Sequence, residues 1–375
     1  MKATTQNFID QFGIQEVRTW YFEVWNEPDG WLEGEWDVFY KMYDVFVDAV
    51  TSVDSKLRVG GPACYHEYFL KPFLNHVVNG TNYVTGKKGT RIDFISYHVY
   101  GLSGKWLNHE PHIQPQVQRF SQSLLWLKRL ISDYPSLKGT PFHLNEWGLS
   151  SNYYRTVADY PDLVYRNSIS SPLFLFKLVD ALYQIGDQYN FPTSLLLYWG
   201  FTWEADENEF FVGKRELLTA GNTPKPIQTG FEMLAQLLPK RVNVVKDKKG
   251  GRLGLMATKS TNKIALLLYN YQESDGENPE GSDNVYIKLT GLKKNLRYTV
   301  ESIALNDKNN NTYQTWRSMG SPESADGIDL SPLKTAGVLR ITHQFEIKAN
   351  EKGEGKIDMV VDRSAATLMI LKTND

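Results

Sequence analysis

Apolar positions follow two rhythms along the chain. Up to about residue 240, short unbroken apolar runs alternate with stripes at helical spacing. The runs at 19–25, 57–63, 92–100, 141–146 and 194–203 are rich in β-branched and aromatic residues, which predicts strands buried on both faces. Trp36, Phe39, Tyr40, Tyr43, Phe46, Val47 and Val50 recur every three or four positions and predict a helix with one apolar face. Ile113, Val117, Phe120, Leu124, Leu127 and Ile131 form a second such stripe. Further helices are predicted over 4–12, near 67–78, within 172–189 and over 225–238. Strands that alternate with helices imply a parallel sheet.

From Val242 the helical stripes disappear. Short alternating segments at 263–269, 284–289, 297–304, 338–347, 356–361 and 366–372 are separated by Gly, Asn and Asp clusters, the pattern of a small antiparallel β-sandwich. A chain of 375 residues is long enough for two cores, so the expected division is an α/β domain over 1–240 and a β-sandwich over 241–375. The stretch 272–283 is poor in apolar residues and reads as a solvated loop.

Charge narrows the partners. A net charge of −2 gives no field suited to nucleic acid or to an anionic membrane surface, and no apolar run reaches the length of a membrane span. Neither partner is expected. The single cysteine, Cys64, has no second cysteine to pair with, and no Cys/His spacing suggests a metal site. No metal and no cofactor are expected. Aromatic residues make up 13% of the chain, which suits sugar rings as well as large cores.

Two of the predicted strands finish on carboxylates. The first runs into Trp25-Asn26-Glu27-Pro28, the fourth into Asn145-Glu146-Trp147-Gly148. Barrel enzymes keep their chemistry at the C-terminal ends of their strands, and two carboxylates in matched positions are what glycoside hydrolysis requires. A lone glutamate at a loop start is ordinarily just solvated; the matched pair points to catalysis.

The ordered motifs F-E-V-W-N-E-P-D, R-V-G-G-P-A, D-F-I-S-Y-H-V-Y and N-E-W-G make the chain resemble glycoside hydrolase family 39, which holds β-xylosidases and α-L-iduronidases. The resemblance implies a TIM-type (β/α)8 barrel and a retaining mechanism, with Glu27 as acid/base and Glu146 as nucleophile. The implied activity is exo-acting β-xylosidase on xylo-oligosaccharides, a carbohydrate substrate needing no cofactor. An α-L-iduronidase-like glycosidase is the alternative, and a carbohydrate-binding protein without turnover is the alternative of another class. Asn26 is placed to bond the sugar 2-hydroxyl, and a turn-forming amide is its other reading. His98 and Tyr100, two apart on one strand, share a face and are placed to fix Glu27 or Glu146; a satisfied core histidine is the competing account. His143 and Asn145 read as support for their strand end. Trp199 is placed as a floor for the sugar ring.

The strand count departs from the family. Five strands precede Pro239 where a barrel has eight, and by the family's order Glu27 closes the fourth strand and Glu146 the seventh. Only strands four to eight are then expected here. Such a sheet has two open edges, so self-association through them is the expected consequence. Any secretory signal would belong to a longer precursor.

Overall fold

The first rhythm becomes a five-stranded sheet in the computed structural model, which describes residues 1–102, 114–152, 155–200, 209–247, 251–275 and 279–373. Ile113 of the predicted helical stripe and the last residues of the predicted strand at 194–203, Trp203 among them, lie outside these residues. The described chain forms two compact units. One is built from Met1–Tyr100, Gln118–Gly148 and Leu182–Trp199, the other from Gly101–Val117, Leu149–Ala181 and Gly200–Asp375.

The first rhythm gives, in order, α1 (Lys2–Phe12), α2 (Ile14–Val17), β1 (Tyr21–Glu23), α3 (Pro28–Trp31), α4 (Trp36–Thr51), β2 (Arg58–Cys64), α5 (Glu67–Asn79), β3 (Phe94–Leu102), α6 (Val117–Ser132), β4 (Phe142–Ser150), α7 (Ser170–Tyr189) and β5 (Thr193–Tyr198). The strands lie side by side in chain order, β1-β2-β3-β4-β5. Strands β1 and β2 run parallel, with Tyr21 opposite Arg58 and Glu23 opposite Gly60, and β2–β3 and β4–β5 are parallel too. Consecutive parallel neighbours need a crossover, and the helices between them supply it. The central strands β2 and β3 are buried along almost their whole length. At the edges, Tyr21 of β1 and Leu197 of β5 are exposed. Against the sheet, α4 and α5 interlock through rings: Phe39 meets Phe69 and Phe73, and Tyr43 meets Phe73 edge-on at 5.0 Å.

Gly60 of β2 lies close against the backbone of its neighbouring strand. A β-carbon there would fall 2.3 Å from the carbonyl oxygen of Phe94 on the neighbouring strand, so the packing of β2 on β3 demands glycine.

The second unit contains the short pair β6 (Leu218–Thr219) and β7 (Thr223–Pro224), helix α8 (Pro226–Ala235), and the strands β8 (Lys240–Val242), β9 (Leu253–Lys259), β10 (Lys263–Asn270), β11 (Ser282–Leu289) and β12 (Arg297–Leu305). These are followed by α9 (Thr312–Ser318), α10 (Ser331–Ala336), β13 (His343–Lys348), β14 (Gly355–Asp362) and β15 (Ala365–Thr373). One antiparallel sheet has the order β13-β12-β15-β10-β9-β8, and β11 pairs with β14 in another. A single apolar cluster draws on both: Leu266, Leu268, Val300, Met369 and Leu371 from the first, Ile287, Ile357 and Val361 from the second.

Candidate active site

Strand β1 ends at Glu23, and the chain then turns sharply before α3. Trp25 and Glu27 both adopt left-handed backbone conformations, with φ of 66° and 46°. Non-glycine residues hold that conformation only where their surroundings compel it. Pro28 at the first helical position starts α3 directly behind Glu27. The Glu27 amide donates to the carbonyl of Ala63, 2.9 Å away on β2, and Ala63 is itself left-handed with φ 53°. Glu27 is thus held beyond the strand end, whereas Glu146 lies inside its strand. The apolar run does not stop at Glu146: Trp147, Gly148, Leu149 and Ser150 are all buried, and β4 continues through them.

Strand β3 brings the two carboxylates together. The Nδ1 of His98 lies 2.9 Å from Oε1 of Glu27 and 3.7 Å from Oε1 of Glu146. An ionised carboxylate can only accept, so whenever Glu27 is ionised Nδ1 is the donor of this bond. Two residues on, the Tyr100 hydroxyl donates to Oε1 of Glu146 at 2.5 Å. One oxygen of Glu27, one ring nitrogen of His98 and one oxygen of Glu146 all lie within 4.8 Å of one another. That donor set is also able to ligate a metal ion. It equally suits proton transfer beside a nucleophilic carboxylate.

Of the other residues singled out in the sequence, Asn26 and Trp199 follow the ends of β1 and β5, and His143 lies in β4. Asn26 is exposed and adjacent to Glu27. Trp199 follows β5, and its amide donates to the carbonyl of Trp147, the neighbour of Glu146, at 2.9 Å. Trp147 is fully buried against Phe120 and Tyr198. His143 is buried between the rings of Tyr21 and Phe94, and its burial, with Arg58 nearby, lowers its pKa to about 4. It is a neutral packing residue.

Sequence reasoning passed over a third carboxylate. Glu23 closes β1, its Oε1 accepting from Ser96 Oγ and its Oε2 accepting from Asn145 Nδ2 at 2.6 Å. Burial pushes its pKa up to about 7, against the lowering effect of the Ser96 bond, of His98 and of the Asn145 bond. Asp29, in α3, is also buried; burial raises it to about 6, although the amides of His66 and Tyr65 donate to it at 2.7 and 3.0 Å. A signal for Glu23 was present in the sequence, since a charged residue inside the apolar run Trp20–Trp25 has to be satisfied by something.

A family model for glycosyl hydrolases family 39 matches residues 1–337. The chain is similar to a β-xylosidase of Caldicellulosiruptor saccharolyticus, 27% identical over 349 residues that cover 91% of this chain and 65% of that protein. It is also similar to the α-L-iduronidase of Mus musculus, 24% identical over 84% of this chain and 52% of the mouse protein. The chain therefore spans between half and two thirds of these two relatives. Among solved structures, a monomeric β-xylosidase from Caulobacter crescentus CB15 superposes with a TM-score of 0.76 at 22% identity, over 100% of this chain and 74% of that one. A structure described as the bacterial orthologue of human α-L-iduronidase superposes at 0.81, with 19% identity, over 99% and 64%.

Proposed function

The chain belongs to glycosyl hydrolases family 39, and on that footing we propose that it is a retaining, exo-acting β-xylosidase that removes terminal xylose from xylo-oligosaccharides. The observation that carries this reading is the carboxylate pair, with oxygens of Glu27 and Glu146 within 4.8 Å. Retaining enzymes hold their two carboxyl groups about 5–5.5 Å apart, and inverting enzymes roughly 6.5–9.5 Å, to leave room for water.

In the first step Glu146 attacks the anomeric carbon as the glycosidic C–O bond breaks, and Glu27 gives its proton to the departing oxygen. In the second, Glu27 takes a proton from water, the water oxygen bonds to the anomeric carbon, and the ester bond to Glu146 breaks. Tyr100 holds the nucleophile through both steps, and His98 holds the acid/base. Asn26 bonds the sugar 2-hydroxyl, and Trp199 supplies an apolar floor. The five parallel strands then correspond to strands four to eight of a TIM-type barrel, and the antiparallel sheets to a β-sandwich.

A second reading, an α-L-iduronidase-like activity, draws on the likeness to the mouse enzyme. A uronide substrate carries a carboxylate and needs a cationic partner for it. Side-by-side assays on aryl β-xylosides and α-L-iduronides decide between the two.

Azide separates the roles of the glutamates. Glu146→Ala is expected to stop turnover of every xyloside and, with azide, to give the inverted glycosyl azide. Glu27→Ala is expected to spare the first step on substrates with good leaving groups and to give the azide of retained configuration. Equal losses in both variants, with no azide product in either, would overturn the assignment.

A further inference from the structure

We propose that Glu23 is a positioning residue for this reaction, its carboxyl group tying the chain segments that carry Glu27 and Glu146 into one frame. The proposal rests on the functional reading above and goes beyond it. Glu23 has both oxygens engaged within the protein, one by Ser96 and one by Asn145. On one side, Ser96 Oγ accepts the amide of Ala63 at 2.8 Å, and the Ala63 carbonyl accepts the amide of Glu27 at 2.9 Å. On the other, Asn145 is bonded directly to Glu146 in the chain. From β1, Glu23 thus bonds β3 and β4 directly and reaches β2 through Ser96.

The backbone at Ala63 and Glu27 shows why a tie is needed. Both are left-handed non-glycine residues, with φ of 53° and 46°, and such conformations persist where neighbouring bonds over-determine them. The chain of hydrogen bonds that starts at Glu23 passes through both.

The charge of Glu23, as distinct from its reach, carries a cost in stability. The groups facing it are Ser96 and His98 on β3, Asn145 on β4, the Cys64 thiol on β2 and the Tyr43 phenol on α4. Only His98 among them can carry a positive charge. The folded-state pKa of Glu23, about 7, is above the ordinary value of 4.5, so ionisation of Glu23 removes stability. The penalty is absent below the ordinary value, grows as pH rises through the interval, and is complete above about 7. A glutamine would avoid it. Its amide oxygen accepts from Ser96, and its amide nitrogen donates to a turned Asn145, whose Oδ1 is buried without a partner among the described residues.

Length and charge separate in two variants. Glu23→Gln keeps the reach of the side chain, and Glu23→Asp keeps the charge but is one methylene too short to meet both Ser96 and Asn145. For aryl xyloside hydrolysis, positioning predicts kcat within about fivefold of wild type for Gln, and a fall of at least about tenfold for Asp and Ala with KM within roughly threefold, since displacements near 1 Å can cost about a hundredfold. Glu23→Gln is also expected to melt higher than wild type at pH 8, so it remains readable if the Ala variant does not fold. In a crystal structure of the Asp variant, the carboxylates of Glu27 and Glu146 are expected to shift relative to one another. An Asp variant as active as wild type, three variants that lose activity alike, or an Asp structure with the pair unmoved would each overturn the proposal. If wild type cleaves no glycoside but the pair does move in the Asp structure, the functional reading fails and the positioning role stands.

Discussion

The Tyr100 hydroxyl donates at 2.5 Å to Oε1 of Glu146, the side chain proposed as nucleophile. Removing it in Tyr100→Phe leaves the ring in place and strips one donor from the nucleophile. Misplacing a reacting group by about 1 Å can cost about a hundredfold, so kcat is expected to fall about tenfold to a hundredfold, while the lost bond lowers stability by at most roughly 1.5–3 kcal/mol. Steady-state kinetics beside a melting curve check this; unchanged kcat would remove Tyr100 from the site. At this scale the sequence was legible where a motif marks a residue and silent where geometry does. Glu27 and Glu146 stand out because each follows an asparagine at the end of a short apolar stretch, inside a recognisable motif. Glu23 lies within such a run, and its meaning depends on Ser96 and Asn145, which are 73 and 122 residues away. No local pattern joins them.

Among the elements, those with long periodic patterns were readable: the stripe at Trp36–Thr51 became α4 as expected, and strands β2, β3, β10 and β15 fall on the predicted runs. Short elements were not. β9 escaped notice because Gly254 interrupts its pattern, and the structure shows why it must: a β-carbon there would fall 1.9 Å from Cζ of Tyr269, which crosses it on β10. Helices α9 and α10 span 7 and 6 residues, too few to display a helical period. The predicted strand at 338–347 begins only at His343. The tightest packing demand on the central sheet is at Gly60, and Gly60→Ala is expected to lower stability by about 1–3 kcal/mol, because the methyl group meets backbone and β2 has to move away from β3. Urea unfolding measures it, and a variant as stable as wild type would show that the strands part easily.

At the scale of the molecule, the alternating strands and helices announced the parallel sheet, and the change of period near residue 240 announced the antiparallel strands. The segments Gly101–Val117 and Leu149–Ala181 group with the C-terminal residues in one compact unit, through contacts distant in sequence. Among the described residues, the candidate catalytic group, with Glu27, His98, Tyr100 and Glu146, lies wholly within the other unit. The central claim is that these residues cleave a glycoside by two displacements. Proton NMR of an aryl β-xyloside during its first turnovers tests it most directly: the account predicts that β-xylose appears first and mutarotates later to the α-anomer, whereas initial release of α-xylose would contradict it.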